Sequence, residues 1–227
     1  LSIKELCRSS AVYNVELSWL AFNWRVLSMA CNDRVPLLEK LMYLGISASN
    51  LDEFFAKRVG GLKRQLEASK ADKLMEEEDA SIWSPDYQLK LIAENVKQLV
   101  EQQTNILYKH IEPRLSKANI HIMESFDDLS KNERERLSKY FTNELELLLT
   151  PIKLDPGHPF PFLQSLSIGI AVRLQDTLNG ESSNISYAVV SIPSTVDRWI
   201  KVETGSEEGK RRIAYLPVEQ LIISHLG

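Results

Sequence analysis

Cysteine is scarce in this chain of 227 residues, which holds only Cys7 and Cys31. Two thiols at that spacing make neither a disulfide framework nor a metal-binding signature. Isolated thiols suit a reducing compartment, so the cytoplasm is the expected location. No apolar run reaches the ~20 residues that a membrane-spanning helix needs. No secretory leader is visible, although a chain that opens on Leu1 leaves room for a lost targeting peptide, as it does for peripheral membrane association. Excess positive charge is lacking too: the formal net charge is −4 at pH 7, which argues against a dedicated nucleic-acid binder. There is no GxxxxGK(S/T) loop and no GxGxxG loop to cradle a phosphate. The histidines, His110, His121, His158 and His225, include no pair at HExxH spacing, so no metal site can be argued from them.

What is present reads as an ordinary globular protein, 44% hydrophobic and 26% charged. Its length allows one large or two ordinary domains with a substantial core. Leu17, Leu20, Ala21, Trp24, Leu27 and Ala30 recur at steps of three and four, which predicts an amphipathic helix over 16–32. Pro36 suits the first turn of the next helix. A second series follows: Leu37, Leu38, Leu41, Leu44, Ala48, Leu51, Phe55, Val59, Leu62 and Leu66. It lasts about thirty residues, or ~45 Å of helix, the mark of a bundle helix packed against partners. Residues 70–84 read as a solvated loop, with Ser84 as a cap for a helix that starts near Pro85 and ends near Pro113. Residues 1–115 are thus expected to form an all-α bundle.

The pattern changes between 105 and 120. Ile120-His121-Ile122 predicts a short strand, and Ser130 to Leu145 a helix opened by a capping box of Ser130 and Glu133. The chain is proline-rich from Pro151 to Pro161. Strands are expected at Leu166–Leu174, Tyr187–Ile192, Trp199–Val202 and Arg212–Tyr215, with a turn at Asn179-Gly180 and a helix over Pro217–Leu226. Residues 116–227 are therefore expected to form a smaller α+β unit, truncated at its end, and the chain as a whole is α+β.

The stretch Gly45 to Lys63 stands out within the long helix. Gly60-Gly61 costs roughly 1 kcal/mol per glycine relative to alanine in a helix interior, which implies close backbone approach by a neighbour or a ligand. Glu16 to Leu27 reads ELSWLAFNWRVL; Pro36 to Ile46 and Ser49 to Lys63 follow as PLLEKLMYLGI and SNLDEFFAKRVGGLK. Leu149-Thr150-Pro151 and Asp155 to Leu163 (DPGHPFPFL) make a third block. These blocks, in this order, resemble the amino-terminal domain and part of the head domain of the histidine-phosphorylating polyphosphate kinases. Trp24 departs from that pattern, where a charged or polar residue is common.

The resemblance implies an amino-terminal fragment of an enzyme that reversibly moves the γ-phosphate of ATP to the end of a polyphosphate chain. It implies a phosphohistidine and Mg²⁺ ligands located outside the fragment, so no catalytic residue is expected here. It places Asn50 against the adenine of ATP or ADP. From the residues alone, Asn50 is either a helix residue bonded to a neighbouring segment or a ligand contact, since a carboxamide both donates and accepts. Lys57, Arg58, Lys63 and Arg64 form a basic cluster that is either a solvated face or a polyphosphate contact. Asp52 and Glu53 point about 100° apart on a helix and form no facing pair; Glu53 and Lys57 make an i,i+4 ion pair. His158 is expected to shape its loop. Trp19 is expected in the core, with Phe22 and Trp24 facing another helix or subunit. The resemblance further implies a homo-oligomer, dimeric or higher, through residues 116–227. The rival readings are a non-catalytic helical interaction module and a polyphosphate-binding module.

Overall fold

A computed structural model describes residues 14–71, 83–155, 157, 159–175, 185–203 and 212–226. Cys7, His158, the Asn179-Gly180 turn and most of the loop expected at 70–84 lie outside the described residues. The chain divides into two units, Leu1–Lys117 and Ala118–Gly227. The fold is α+β, helical first and then with two small sheets.

The first unit opens with α1, Val15–Met29, capped by Asn14, whose side chain accepts from the Leu17 N–H at 2.9 Å. The same side chain donates to Gln88 Oε1 at 2.7 Å, tying the cap to the helix that begins at Pro85. Leu20, Asn23 and Leu27 turn inward, while Ala21, apolar by type, is exposed. Pro36 is the cap of α2, Leu37–Phe54, where its missing N–H costs nothing.

α2 does not stop at Phe54. It widens into a π turn at Phe55–Val59 and continues as α3, Gly60–Ala71. The turn corrects the expected stripe. Leu44, Ser47, Leu51 and Phe54 are buried, and the next buried positions are Val59 and Leu62. A step of five separates Phe54 from Val59, whereas the sequence pattern put Phe55 inside; Phe55 is 43% exposed. A π turn absorbs one extra residue, which keeps Val59 and Leu62 on the core side and leaves Lys57 and Arg58 outside.

Of the two readings of the glycines, close approach by a neighbour is not met among the described residues. A Cβ built on Gly61 or Gly45 meets no described atom within 4 Å, and one on Gly60 meets only the Phe55 carbonyl at 3.6 Å. No neighbour comes close to the described backbone at these positions. Gly61→Ala is therefore expected to stabilise the unit by roughly 1 kcal/mol, the helix-propensity difference, as a rise in the urea midpoint at unchanged m-value.

α4, Pro85–Asn105, starts where expected: Ser84 Oγ accepts from the Tyr87 N–H at 3.4 Å and Pro85 takes the first turn. Its end differs. The helix passes through a second π turn, Ile106–Ile111, into α5, Glu112–Lys117. Pro113 does not terminate it. The widened turn sits immediately before the proline, where the i−4 carbonyl would otherwise meet the ring, and the Glu112 N–H bonds Leu107 O instead of an i−4 carbonyl. Ile111 and Leu115 stay buried. α1 packs on α2 and α4, and α3 on α4.

The second unit carries β1 (Ile120–Ile122), α6 (Lys131–Tyr140), β2 (Thr150–Leu154), β3 (Ile168–Gln175), β4 (Ile185–Ile192), β5 (Trp199–Glu203), β6 (Ile213–Pro217) and α7 (Val218–Ile223). One sheet has order β1-β6-β5, with β1 parallel to β6; the other has order β2-β4-β3 and is antiparallel. β2 was not expected. Its Pro151 removes a donor, which an edge strand tolerates. The capping box is present: Ser130 Oγ accepts from the Glu133 N–H and Glu133 Oε2 from the Ser130 N–H. Leu137, Phe141, Leu145, Leu216, Leu221 and Ile222 are among the buried residues of its core.

His121 on β1 has its pKa lowered from 6.5, by burial first and then by Arg212. The neutral ring is favoured in the fold, so the unfolded chain protonates first as pH falls. Stability contributed by this site is complete above 6.5 and declines as pH drops below 6.5. His121→Gln is expected to flatten that decline in melts run from pH 7.5 downward.

Candidate functional site

Asn50 lies one turn before the end of α2, and the structure gives its amide a defined partner. Asn50 Nδ2 donates to Asn23 Oδ1 at 3.0 Å. Asn23 Nδ2 in turn donates to the backbone oxygen of Ser47 at 3.0 Å. Ser47 Oγ accepts from Gln103 Nε2 of α4, also at 3.0 Å. Asn23 and Ser47 are wholly buried, while Asn50 is half-exposed at the edge. A polar chain thus runs from the bundle interior to the surface and ends on one carboxamide. Buried amides are tolerated only when so paired.

Beside Asn50 lies a shallow groove, wide open to solvent, lined by Met42, Gly45, Ile46, Ser49 and Asn50. All five belong to α2 at steps of three and four, one face of the helix. Met42 and Ile46 are 57% and 40% exposed. The absent side chain of Gly45 leaves the floor open, since no atom stands where its Cβ would project. An apolar strip flanked by one carboxamide can take the face of a planar ring and bond to its edge. The expected bond from Asn50 to a neighbouring segment is thus present, and the same residue borders the groove.

The basic cluster divides. Lys57 pairs with Glu53 one turn before it, and this hydrogen bond, followed by the lysine charge, lowers the Glu53 pKa. Arg58 NH1 lies 3.8 Å from Glu16 Oε1 on α1. Lys63 and Arg64 are exposed on α3 with no ion pair to a described residue. Since the π turn falls within the span from Lys57 to Arg64, seven residues are not two plain helical turns there. Trp19 is half-buried and stacks on Phe54 with centroids 4.6 Å apart. Phe22 is exposed, with the Arg25 guanidinium 5.8 Å from its ring centre.

The described histidines are held structurally or exposed. His225 Nδ1 lies 2.9 Å from the Leu221 carbonyl, which only accepts, so Nδ1 carries the proton; Nε2 then accepts from Ser138 Oγ at 3.0 Å. Its ring stacks on Phe141 at 4.4 Å. His110 is exposed in the second π turn. No group of three or more His, Cys, Asp and Glu among the described residues is placed to hold a metal ion. No described helix is long and apolar enough to cross a membrane. A second cavity, of about 430 Å³, lies in the second unit beside Leu166 and Arg198. Arg198 is already paired with Glu219 at 2.7 Å.

Sequence reasoning found Asn50 but missed Asn23, Ser47 and Gln103. A signal for Asn23 existed: it stands between Leu20 and Leu27 at helical spacing, a polar residue on the inward stripe.

The sequence matches the family description "Polyphosphate kinase N-terminal domain" over residues 12–123 and "Polyphosphate kinase middle domain" over 132–227. The chain belongs to the polyphosphate kinase family. A polyphosphate kinase of Mycobacterium avium (strain 104) is 39% identical over 217 residues, covering 94% of this chain and 28% of that protein. A polyphosphate kinase of Mycobacterium tuberculosis (strain H37Rv) is 37% identical over 232 residues, covering 99% of this chain and 30% of that protein. The crystal structure of polyphosphate kinase from Porphyromonas gingivalis superposes with a TM-score of 0.70 at 26% identity, over 93% of this chain and 30% of that one. The chain spans less than a third of the length of the relatives it matches.

Proposed function

We propose that this chain is the amino-terminal part of an ATP:polyphosphate phosphotransferase, and that it supplies the adenine side of the nucleotide site through Asn50. The parent enzyme moves the γ-phosphate of ATP to the end of a polyphosphate chain, and back to ADP, in the cytoplasm. A phosphohistidine outside this chain divides the transfer into two steps. Positioning and charge neutralisation at the phosphoryl group also fall to residues outside it, Mg²⁺ being bound with the nucleotide. The head-like residues 116–227 contribute subunit contacts in a homo-oligomer. The observation that carries the reading is the Asn23–Ser47–Gln103 chain, buried at Asn23 and Ser47, that ends on Asn50 beside an apolar groove, in a sequence that matches both family domains. A wholly buried amide, Asn23, bonded to one surface carboxamide is more than a solvated helix face requires.

The exposed Lys63 and Arg64 favour a second reading, a polyphosphate contact by α3, which predicts salt-sensitive binding of polyphosphate by the chain itself. Polyphosphate synthesis from ATP by the full-length parent, assayed beside the isolated 227-residue chain, tests the main reading. The expected result is synthesis by the parent and none by the chain. Synthesis by the chain alone overturns the placement of the chemistry. A folded parent without activity makes the protein a non-catalytic helical module.

A further inference from the structure

The Asn50 carboxamide can meet a ligand in only one of its two orientations. A backbone carbonyl accepts and never donates. The Ser47 oxygen therefore draws the NH₂ of Asn23 toward itself at 3.0 Å. That leaves Asn23 Oδ1, again an acceptor only, facing Asn50, which must answer with its own NH₂ at 3.0 Å. Turning the Asn50 amide over would set two oxygens against each other and leave the wholly buried Asn23 with an unmet acceptor, a costly arrangement. The Ser47 carbonyl belongs to the α2 backbone, and the Ser47 hydroxyl is bonded separately by Gln103 from α4. What Asn50 retains for a ligand is Oδ1, together with the N–H on the same side of its amide.

We infer that Asn23 is a positioning and specificity-determining residue of the nucleotide site, because it locks the polarity of the Asn50 amide and thereby selects a 6-amino purine over a 6-oxo purine. The inference rests on the reading of Asn50 as the adenine contact. A 6-amino purine presents a donor on its exocyclic nitrogen beside an acceptor ring nitrogen, the complement of an amide oxygen and its neighbouring N–H. In a 6-oxo purine the exocyclic group is an acceptor and N1 carries a proton. With Asn50 held as the structure holds it, O6 would face Oδ1. An amide free to rotate would accept either base; one anchored by Asn23 does not. Asn23 touches no ligand in this scheme and acts through Asn50.

The test measures kcat/KM of the full-length parent with ATP and with ITP, whose base differs from adenine at the 6-position alone among the exocyclic groups. Asn23→Leu removes the anchor while keeping the branched shape, and the smaller Asn23→Ser is the second variant should the bulkier Leu disturb the fold. The ATP:ITP ratio is taken on one preparation, so it does not depend on the fraction of active protein. The expected result is an ATP:ITP preference reduced about tenfold, mainly by better use of ITP. Asn50→Ala is run in parallel. An unchanged ratio in a folded Asn23 variant, with the ATP KM of Asn50→Ala raised, overturns the role of Asn23 and leaves the adenine contact standing. An unchanged ATP KM in Asn50→Ala overturns both.

Discussion

Phe54→Ala is expected to destabilise the first unit by about 3–5 kcal/mol, the usual range for truncating a buried aromatic. Phe54 is 2% exposed and stacks on Trp19 at an interplanar angle of 13°, so the variant loses both apolar burial and the ring contact. Phe55→Ala is the control. Phe55 touches Phe54 only edge-on, with centroids 6.1 Å apart, and is half-exposed, so about 1 kcal/mol or less is expected. The two neighbours are chemically identical and differ in where they face: Phe54 ends the regular helix three residues after buried Leu51, and Phe55 opens the π turn. Urea unfolding followed by tryptophan fluorescence reads both. Equal losses would mean that the helix keeps the plain register of its sequence pattern.

Deleting Ala56 is expected to be tolerated, whereas deleting Ala48 is expected to cost on the order of 5 kcal/mol, comparable with a domain's whole margin. Both alanines are exposed. Ala56 lies in the π turn, which already holds one residue more than an α turn needs. Its removal turns the step from Phe54 to Val59 into four, an ordinary helical step, with Val59 and Leu62 still facing inward. Ala48 lies in regular helix, and its loss rotates everything beyond it by about 100° relative to everything before. Leu44 and Leu51, both buried and seven residues apart, would become six apart, about 120° round the helix, and could no longer share the buried side. Circular dichroism melts of the two deletions decide it; a stable Ala48 deletion or an unfolded Ala56 deletion would contradict the register.

Much of this architecture was legible because it depends on short-range chemistry. The Ser84-Pro85 start, the Ser130–Glu133 capping box and the central positions of β3, β4, β5 and β6 follow from local caps and alternation. Two of the misreadings fall at π turns. A hydrophobic stripe assumes a fixed period, and the π turns at Phe55–Val59 and Ile106–Ile111 break it. The first takes Phe55 out of line with Val59, and the second lets the helix run past Pro113, a residue that ordinarily stops one. β2 was hidden by Pro151, which reads as a strand breaker unless the strand is known to lie at an edge. The site was half legible. Asn50 was identified by resemblance and by its amide chemistry. Asn23, Ser47 and Lys40 are buried polar residues, and a stripe drawn through apolar residues passes over them.

The most direct test of the central claim is the steady-state kinetics of Asn50→Ala in the full-length parent, with ATP and polyphosphate varied in turn. The amide is proposed to hold the base and not the reacting phosphate, so its loss removes binding common to ground and transition states. The predicted result is a KM for ATP raised about tenfold, with kcat and the KM for polyphosphate little changed. An unchanged ATP KM, or a rise confined to polyphosphate, would contradict it and make the groove beside Asn50 something other than a nucleotide site.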